Sequence, residues 1–328
     1  MDKPTIISKA ILLTILLVSS ESFAHSTVSE VQILSKNNEI RVGKPYIVRL
    51  TVNLASPNVK PDTKKVLPNW IQGGFFKITC LTDEPNSFVK LKAFPLSLSI
   101  MDQKGTKYGA SFTLFYGHGA KKLLFDEPGK YSVQFVLSRS ELSNTLDLAV
   151  NESTRNGIKA LALLSDPDDY LLLEFGGLDF DRDEKLESIS HLQQVTAQFS
   201  NTLLAKWCAA RLGIEYFKDF QKKHPSIKKF KAGLENDGIK EPLYQKACEY
   251  LTTGAQLPDE FPIREEVLWN LCSIEHIRGN FDKAISLLDE LSVSAESSQA
   301  RKKALRHKAE LLKLKKQASE KQGDTKNQ

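Results

Sequence analysis

Cysteine is sparse in this chain. The 328 residues hold four, Cys80, Cys208, Cys248 and Cys272. They form no Cys-x-x-Cys pair and no Cys/His cluster, which argues against a zinc site. Cys80 falls in a strand-rich region and the other three on helical patterns. At most one bridge can therefore close within the helical part, unless Cys80 reaches across. Cys208 and Cys272 occupy small apolar positions and read as buried free thiols. Reaction motifs are missing too. There is no Gly-x-Ser-x-Gly, no His-Glu-x-x-His and no phosphate loop, so no catalytic residue is nominated and no cofactor is expected. Charge of one sign is also lacking. Lys and Arg total 45 against 40 Asp and Glu, a net +5 that calls for no nucleic-acid partner.

Long apolar runs are absent but for one. Residues 10–18 form a nine-residue apolar stretch, too short to span a bilayer. It follows Lys3 and Lys9 and leads to Ser22-Phe23-Ala24, a small-x-small cleavage pattern. Residues 1–24 therefore read as a secretory signal peptide, with a mature terminus at His25. The expected location is periplasmic or extracellular, with no integral membrane span after cleavage.

From 25 to 150 the pattern has a period of two. Tyr46, Val48, Leu50, Val52 and Leu54 alternate with polar or smaller neighbours. So do Phe76, Ile78 and Cys80; Leu96, Leu98 and Ile100; Phe112, Leu114 and Tyr116; and Tyr131, Val133, Phe135 and Leu137. Turn residues separate these runs, and Pro128-Gly129 suits a type II turn with Gly129 at φ > 0. About seven or eight short strands with one apolar face each predict two antiparallel sheets face to face, an immunoglobulin-like β-sandwich, with a closed barrel as the alternative. Residues 56–74 read as a long loop. Its Trp70 either caps the sandwich or is presented for binding.

A polar connector at 151–157 precedes a helical region, 158–318, and the chain ends in a polar tail, 319–328, expected to be disordered. Along 201–222, Leu203, Trp207, Ala210, Ile214 and Phe217 form one stripe, and Leu204, Cys208, Leu212, Tyr216 and Phe220 a second. Two stripes predict a helix buried on two sides, as in stacked helix pairs. The last helix carries Ala300, Ala304, Leu311 and Leu314 on one face. Residues 301–316 are basic, with Glu310 the single acid, and read as a solvated face that an anionic lipid or acidic partner would suit.

The segment from Leu268 to Leu288 resembles a tetratricopeptide repeat. Leu268 and Leu271 fit its first helix, Cys272 its small position, and Gly279, Phe281 and Ala284 the tight helix crossing. Glu275 departs from the apolar residue usual there. A weaker copy is Ala205 to Gly213, with no strict period near 34 residues. The junction, through Pro128 to Tyr131 and Ser143 to Leu146, also resembles exported bacterial proteins of unassigned role. In these an immunoglobulin-like sandwich precedes degenerate helical repeats. The resemblance implies a multi-domain chain: an all-β sandwich followed by an all-α repeat domain.

Two metal patterns stand out. Asp179, Asp181 and Asp183 begin like a calcium loop, but Glu184 stands where Gly is needed and Ser190 where a bidentate Glu is needed. An acidic helix start, with Asp181 or Asp183 as N-cap, is the better reading. After cleavage at Ala24, the α-amine and imidazole of His25, with His118, would offer three nitrogens to Cu(II), as in copper-binding exported β-sandwiches that begin with His. The expected function is nonetheless an exported, non-enzymatic scaffold that holds a protein or peptide in a helical-repeat groove. The alternatives are a periplasmic copper-binding protein or a hydrolase with dispersed catalytic residues.

Overall fold

A computed structural model of the chain describes residues 28–54, 74–81, 89–92, 97–100, 107–117, 121–137, 142–176, 182–224, 241–295 and 298–325. The signal segment, His25, Trp70, His118, Asp179 and Asp181 lie outside these residues.

Strands fill the first half: β1 (Val28–Leu34), β2 (Glu39–Arg41), β3 (Tyr46–Leu54), β4 (Phe75–Cys80), β5 (Val89–Lys92), β6 (Ser97–Ile100), β7 (Lys107–Leu114), β8 (Tyr116–Gly117), β9 (Lys122–Leu123), β10 (Gly129–Val136) and β11 (Leu142–Asn151). They make a four-stranded sheet in the order β1-β3-β7-β6, a five-stranded sheet in the order β2-β11-β10-β4-β5, and a two-stranded ribbon of β8 and β9. Alternation sets which side chains turn inward. Tyr46, Val48, Leu50 and Val52 of β3 share one core with Phe76 and Ile78 of β4, Phe112 of β7, and Val133 and Phe135 of β10. Phe76 stands edge-on to Phe112 at 5.0 Å and to Phe135 at 5.1 Å. Gly129 is not the turn glycine that Pro128 suggested; it opens β10, paired with Val150.

One polar residue stitches the two larger sheets together. The Ile33 N–H of β1 donates to Asn144 Oδ1 (2.7 Å), and Asn144 Nδ2 donates to the Ile33 carbonyl (2.9 Å). The side-chain amide thus serves both backbone groups of Ile33 as a neighbouring strand would. The ladder between β10 and β11 slips a register beside it, and there the Phe135 N–H donates instead to Ser143 Oγ (2.9 Å).

Eight helices follow among the described residues: α1 (Arg155–Ala162), α2 (Pro167–Phe175), α3 (Arg182–Gln198), α4 (Leu203–Lys223), α5 (Pro242–Gly254), α6 (Pro262–Ile277), α7 (Phe281–Ser294) and α8 (Ser298–Thr325). Thr154 caps α1 through Oγ1, which accepts from the Gly157 N–H, and Thr202 caps α4 by accepting from Ala205. Asp166 and Asp169 form a capping box on α2 behind Pro167. Asp183 lies inside α3, one residue past its start, and not at its cap. On α8, Ala304 and Leu311 are buried, whereas Leu314 is exposed.

These observations overturn the expected fold class. The sheets are small and not all antiparallel, since β2 runs parallel to β11, and the immunoglobulin-like assignment fails with them. Nor do the helices form a separate array of like repeats. They range from 8 to 28 residues and pack into two different clusters. The larger cluster is shared with the strands. Phe115 and Tyr116, beyond the end of β7, are buried with Tyr170 and Trp207. Phe115 lies 5.0 Å from Trp207, and Tyr116 stacks on Tyr170 at 4.3 Å. The arrangement is mixed, strands first and helices after, across a common core. The physical reason is Phe115. It breaks the alternation of Phe112, Leu114 and Tyr116, so large aromatics leave both sides of the chain and the second side is covered by helices.

Candidate functional site

Where the strand half meets the helices there is a cleft of about 480 Å³. Its strand-side wall includes Lys36, Glu39, Arg41, Lys44 and Asn151, and its helix-side wall includes Leu203, Pro258, Glu260 and Phe261. β2 supplies the first wall because it is the edge strand of its sheet. Ile40 turns inward while Glu39 and Arg41 point out. Two contacts fix their directions. Asn151 Nδ2 donates to the Glu39 carboxylate, and Arg41 Nη1 donates to the Glu152 carbonyl at 3.2 Å.

Gly43 sets the turn between Arg41 and Lys44, two of the lining residues. The Val42 N–H donates to the Asn151 carbonyl and the Lys44 N–H to that of Arg41, so the chain turns sharply here, with Gly43 at φ 73°. A Cβ at Gly43 would overlap Leu161 of α1. Across the cleft, Phe261 precedes α6 and meets Trp207 edge-on at 5.9 Å. Leu203 is held by the Thr202 cap as the first residue of α4. The cleft therefore combines three cations and Glu39 on one side with a largely apolar far wall that also carries Glu260. Such a lining suits a segment carrying both an acidic and an apolar group.

A second polar cluster lies in the shared core. Asp169 is fully buried and its carboxylate faces His191 Nδ1 at 3.0 Å. An imidazole held by a carboxylate is the orienting half of a nucleophilic triad. The buried thiol on this side is Cys208, and burial pushes it far above the ordinary thiol range, so it is held as the unreactive neutral form. Nearby, Arg211 donates from Nε to the Leu173 carbonyl (3.0 Å) and from Nη2 to that of Glu174 (2.9 Å), closing the end of α2. Glu174 Oε1 accepts from the Tyr116 N–H at 3.1 Å. Glu215 accepts from Lys185 Nζ at 2.9 Å. Burial alone would raise the Glu215 carboxyl. The Lys185 hydrogen bond and the charges of Lys185, Lys218 and Arg211 outweigh it and hold the group below its usual range. The cluster fastens β8, α2, α3 and α4 together.

The residues that resembled a repeat are placed as follows. Leu268, Cys272 and Ala284 share a core with Phe281 packed against it, and Leu271 belongs to the larger core. Cys272 Sγ lies 3.6 Å from the Ala284 carbonyl. Gly279 has the left-handed backbone expected of a glycine that ends a helix, at φ 76°, but not the close helix packing, since a Cβ there would meet nothing within 4 Å. Glu275, the misfit of the repeat pattern, is buried. Its carboxylate accepts from Lys283 Nζ (2.7 Å) and Asn280 Nδ2 (2.8 Å), which ties that turn. The close crossing is elsewhere, between α4 and α5. A Cβ on Gly213 would come within 2.7 Å of the Leu251 backbone nitrogen, and one on Gly254 within 2.6 Å of Ala210 Cα. Gly213 stood in the weaker repeat copy, but Gly254 carried no signal.

All four cysteines are free. Among the described residues, no group of three or more His, Cys, Asp or Glu is placed to hold a metal ion. No helix of the described residues is long and apolar enough to cross a membrane. No family model matches the chain, and no curated protein matches it. Among solved structures, a β-glucosidase from Listeria innocua in complex with gluconolactone aligns over 40% of this chain and 17% of its own, at 18% identity and a TM-score of 0.22. A likeness of that size carries no argument about fold or activity.

Proposed function

We propose that this chain is an exported, non-enzymatic binding protein whose ligand is a protein or peptide segment held in the cleft between β2 and the α5–α6 connection. The observation that carries the reading is the wall itself. An edge strand, β2, borders a cleft that places Lys36, Arg41 and Lys44 opposite Leu203, Pro258 and Phe261. An extended segment can add to a strand edge through its backbone while the cations take an acidic side chain and the far wall an apolar one. Panning a random peptide library on the purified chain tests it. Enriched peptides should combine acidic with apolar residues and should lose binding to Arg41→Glu and Lys44→Glu. Enrichment that is indifferent to both changes would place the binding surface elsewhere.

A further inference from the structure

The exposed side of α8 is rich in cations. Residues 301–316 hold eight Lys or Arg and one acid. Four of the cations are engaged within the molecule, one of them Arg301, whose Nε donates to the Ala295 carbonyl at 2.7 Å. Lys308 pairs with Asp289 and Lys315 with Asp282 of α7, and Lys303 lies 4.4 Å above the Trp269 ring of α6. The buried side of the helix is that of Ala304 and Leu311, against α7. About a third of a turn round from it, about 100° per residue brings Leu305, Ala309 and Leu312 into one stripe with Lys316 among them; Lys302, Arg306 and Lys313 lie on its outer side, opposite the buried face, and Arg301 on its inner flank. Leu305 is 54% exposed and Leu312 48%.

We infer that this face lies on an anionic lipid bilayer. The pattern is that of an interfacial helix: an apolar stripe that enters the acyl boundary, with flanking cations at headgroup level. An acidic partner without apolar side chains would satisfy the cations but leave Leu305 and Leu312 in water, whereas a bilayer surface accepts both. The attachment is superficial and reversible, because two leucines bury little area and the attraction is screened by salt. It leaves the cleft, on another part of the molecule, open to its own ligand.

Co-sedimentation of the full chain with vesicles tests this. Vesicles of phosphatidylcholine mixed with phosphatidylglycerol should bring the protein down at low salt, vesicles of phosphatidylcholine alone should not, and added salt should release it. Reversing three cations, as Lys302→Glu, Arg306→Glu and Lys313→Glu, should lower the partition coefficient about a hundredfold. Leu305→Asn with Leu312→Asn should lower it about tenfold at unchanged charge. These side chains are exposed, and unaltered thermal melts would show that the variants fold. No preference for phosphatidylglycerol overturns the inference. So does a leucine pair without effect, which would leave charge alone at work. Tight capture of soluble polyglutamate by a chain that ignores the vesicles would assign the face to an acidic protein instead.

Discussion

Gly43 meets two requirements at once. Its φ of 73° excludes most side chains, and the space a Cβ would take is filled by Leu161. Gly43→Ala should therefore cost about 2–4 kcal/mol, combining backbone strain with overpacking. Urea unfolding would measure it, and Gly43→Ala with Leu161→Ala should recover only the packing share. Asn144 is the polar counterpart. Asn144→Ala leaves both backbone groups of Ile33 without their partner and should cost about 1–3 kcal/mol in the same measurement. The sequence pointed to neither partner. Gly43 reads only as one of the turn residues between strands, and Asn144 only as part of the Ser143 to Leu146 strand. In each case the partner lies more than a hundred positions away, and no local period reports it.

At the scale of elements, the α4–α5 crossing and the α6–α7 turn use glycine for different reasons. Gly254→Ala favours the helix by about 1 kcal/mol in propensity, yet should be net destabilising because Ala210 and its backbone cannot withdraw. Gly279→Ala meets open space and should lose only its left-handed backbone preference, about 1 kcal/mol. Thermal melts of the two variants should rank them in that order. The turn also responds to pH. Burial alone would raise Glu275, but Lys283, Asn280 and Arg278 outweigh it and hold the carboxyl below its usual value. Burial, then the charge of His307, lowers His276. Both folded values are depressed, so the unfolded chain takes up each proton first and stability falls as pH falls. The loss should begin below about pH 6.5 with His276 and deepen below about pH 4.5 with Glu275 and Glu215. Melts from pH 8 to 3 should show both steps, and His276→Phe should shrink the first to the share of His307, which burial also lowers.

The strand alternation was legible in the sequence because each strand buries one face. Tyr46, Val48, Leu50 and Val52 announce β3 without any knowledge of its neighbours. The way the halves join was not, because it turns on Phe115, whose burial depends on Trp207 and Tyr170 far along the chain. For the cleft, Lys36, Arg41 and Lys44 are unremarkable surface cations until β2 is placed at a sheet edge facing Phe261. For the molecule as a whole, the shared core implies joint unfolding. Trp207→Ala should cost about 3–5 kcal/mol. Its melt should stay a single transition, with helical and near-ultraviolet dichroism lost together.

The parallel pairing of β2 with β11 has a kinetic meaning. Ile33 and Asn144, which join the same neighbourhood, are 111 residues apart in sequence, and among the described strands β2 pairs only with β11. A growing polypeptide that has just released β2 holds nothing for it to pair with until Asn151 has been made. Contacts of such long span are slow to close, since the loop entropy is lost before they form. The wall that bears Glu39 and Arg41 is then the last part of the strand half to take shape, and a chain stopped short of β11 would have its helices and its cleft both unmade.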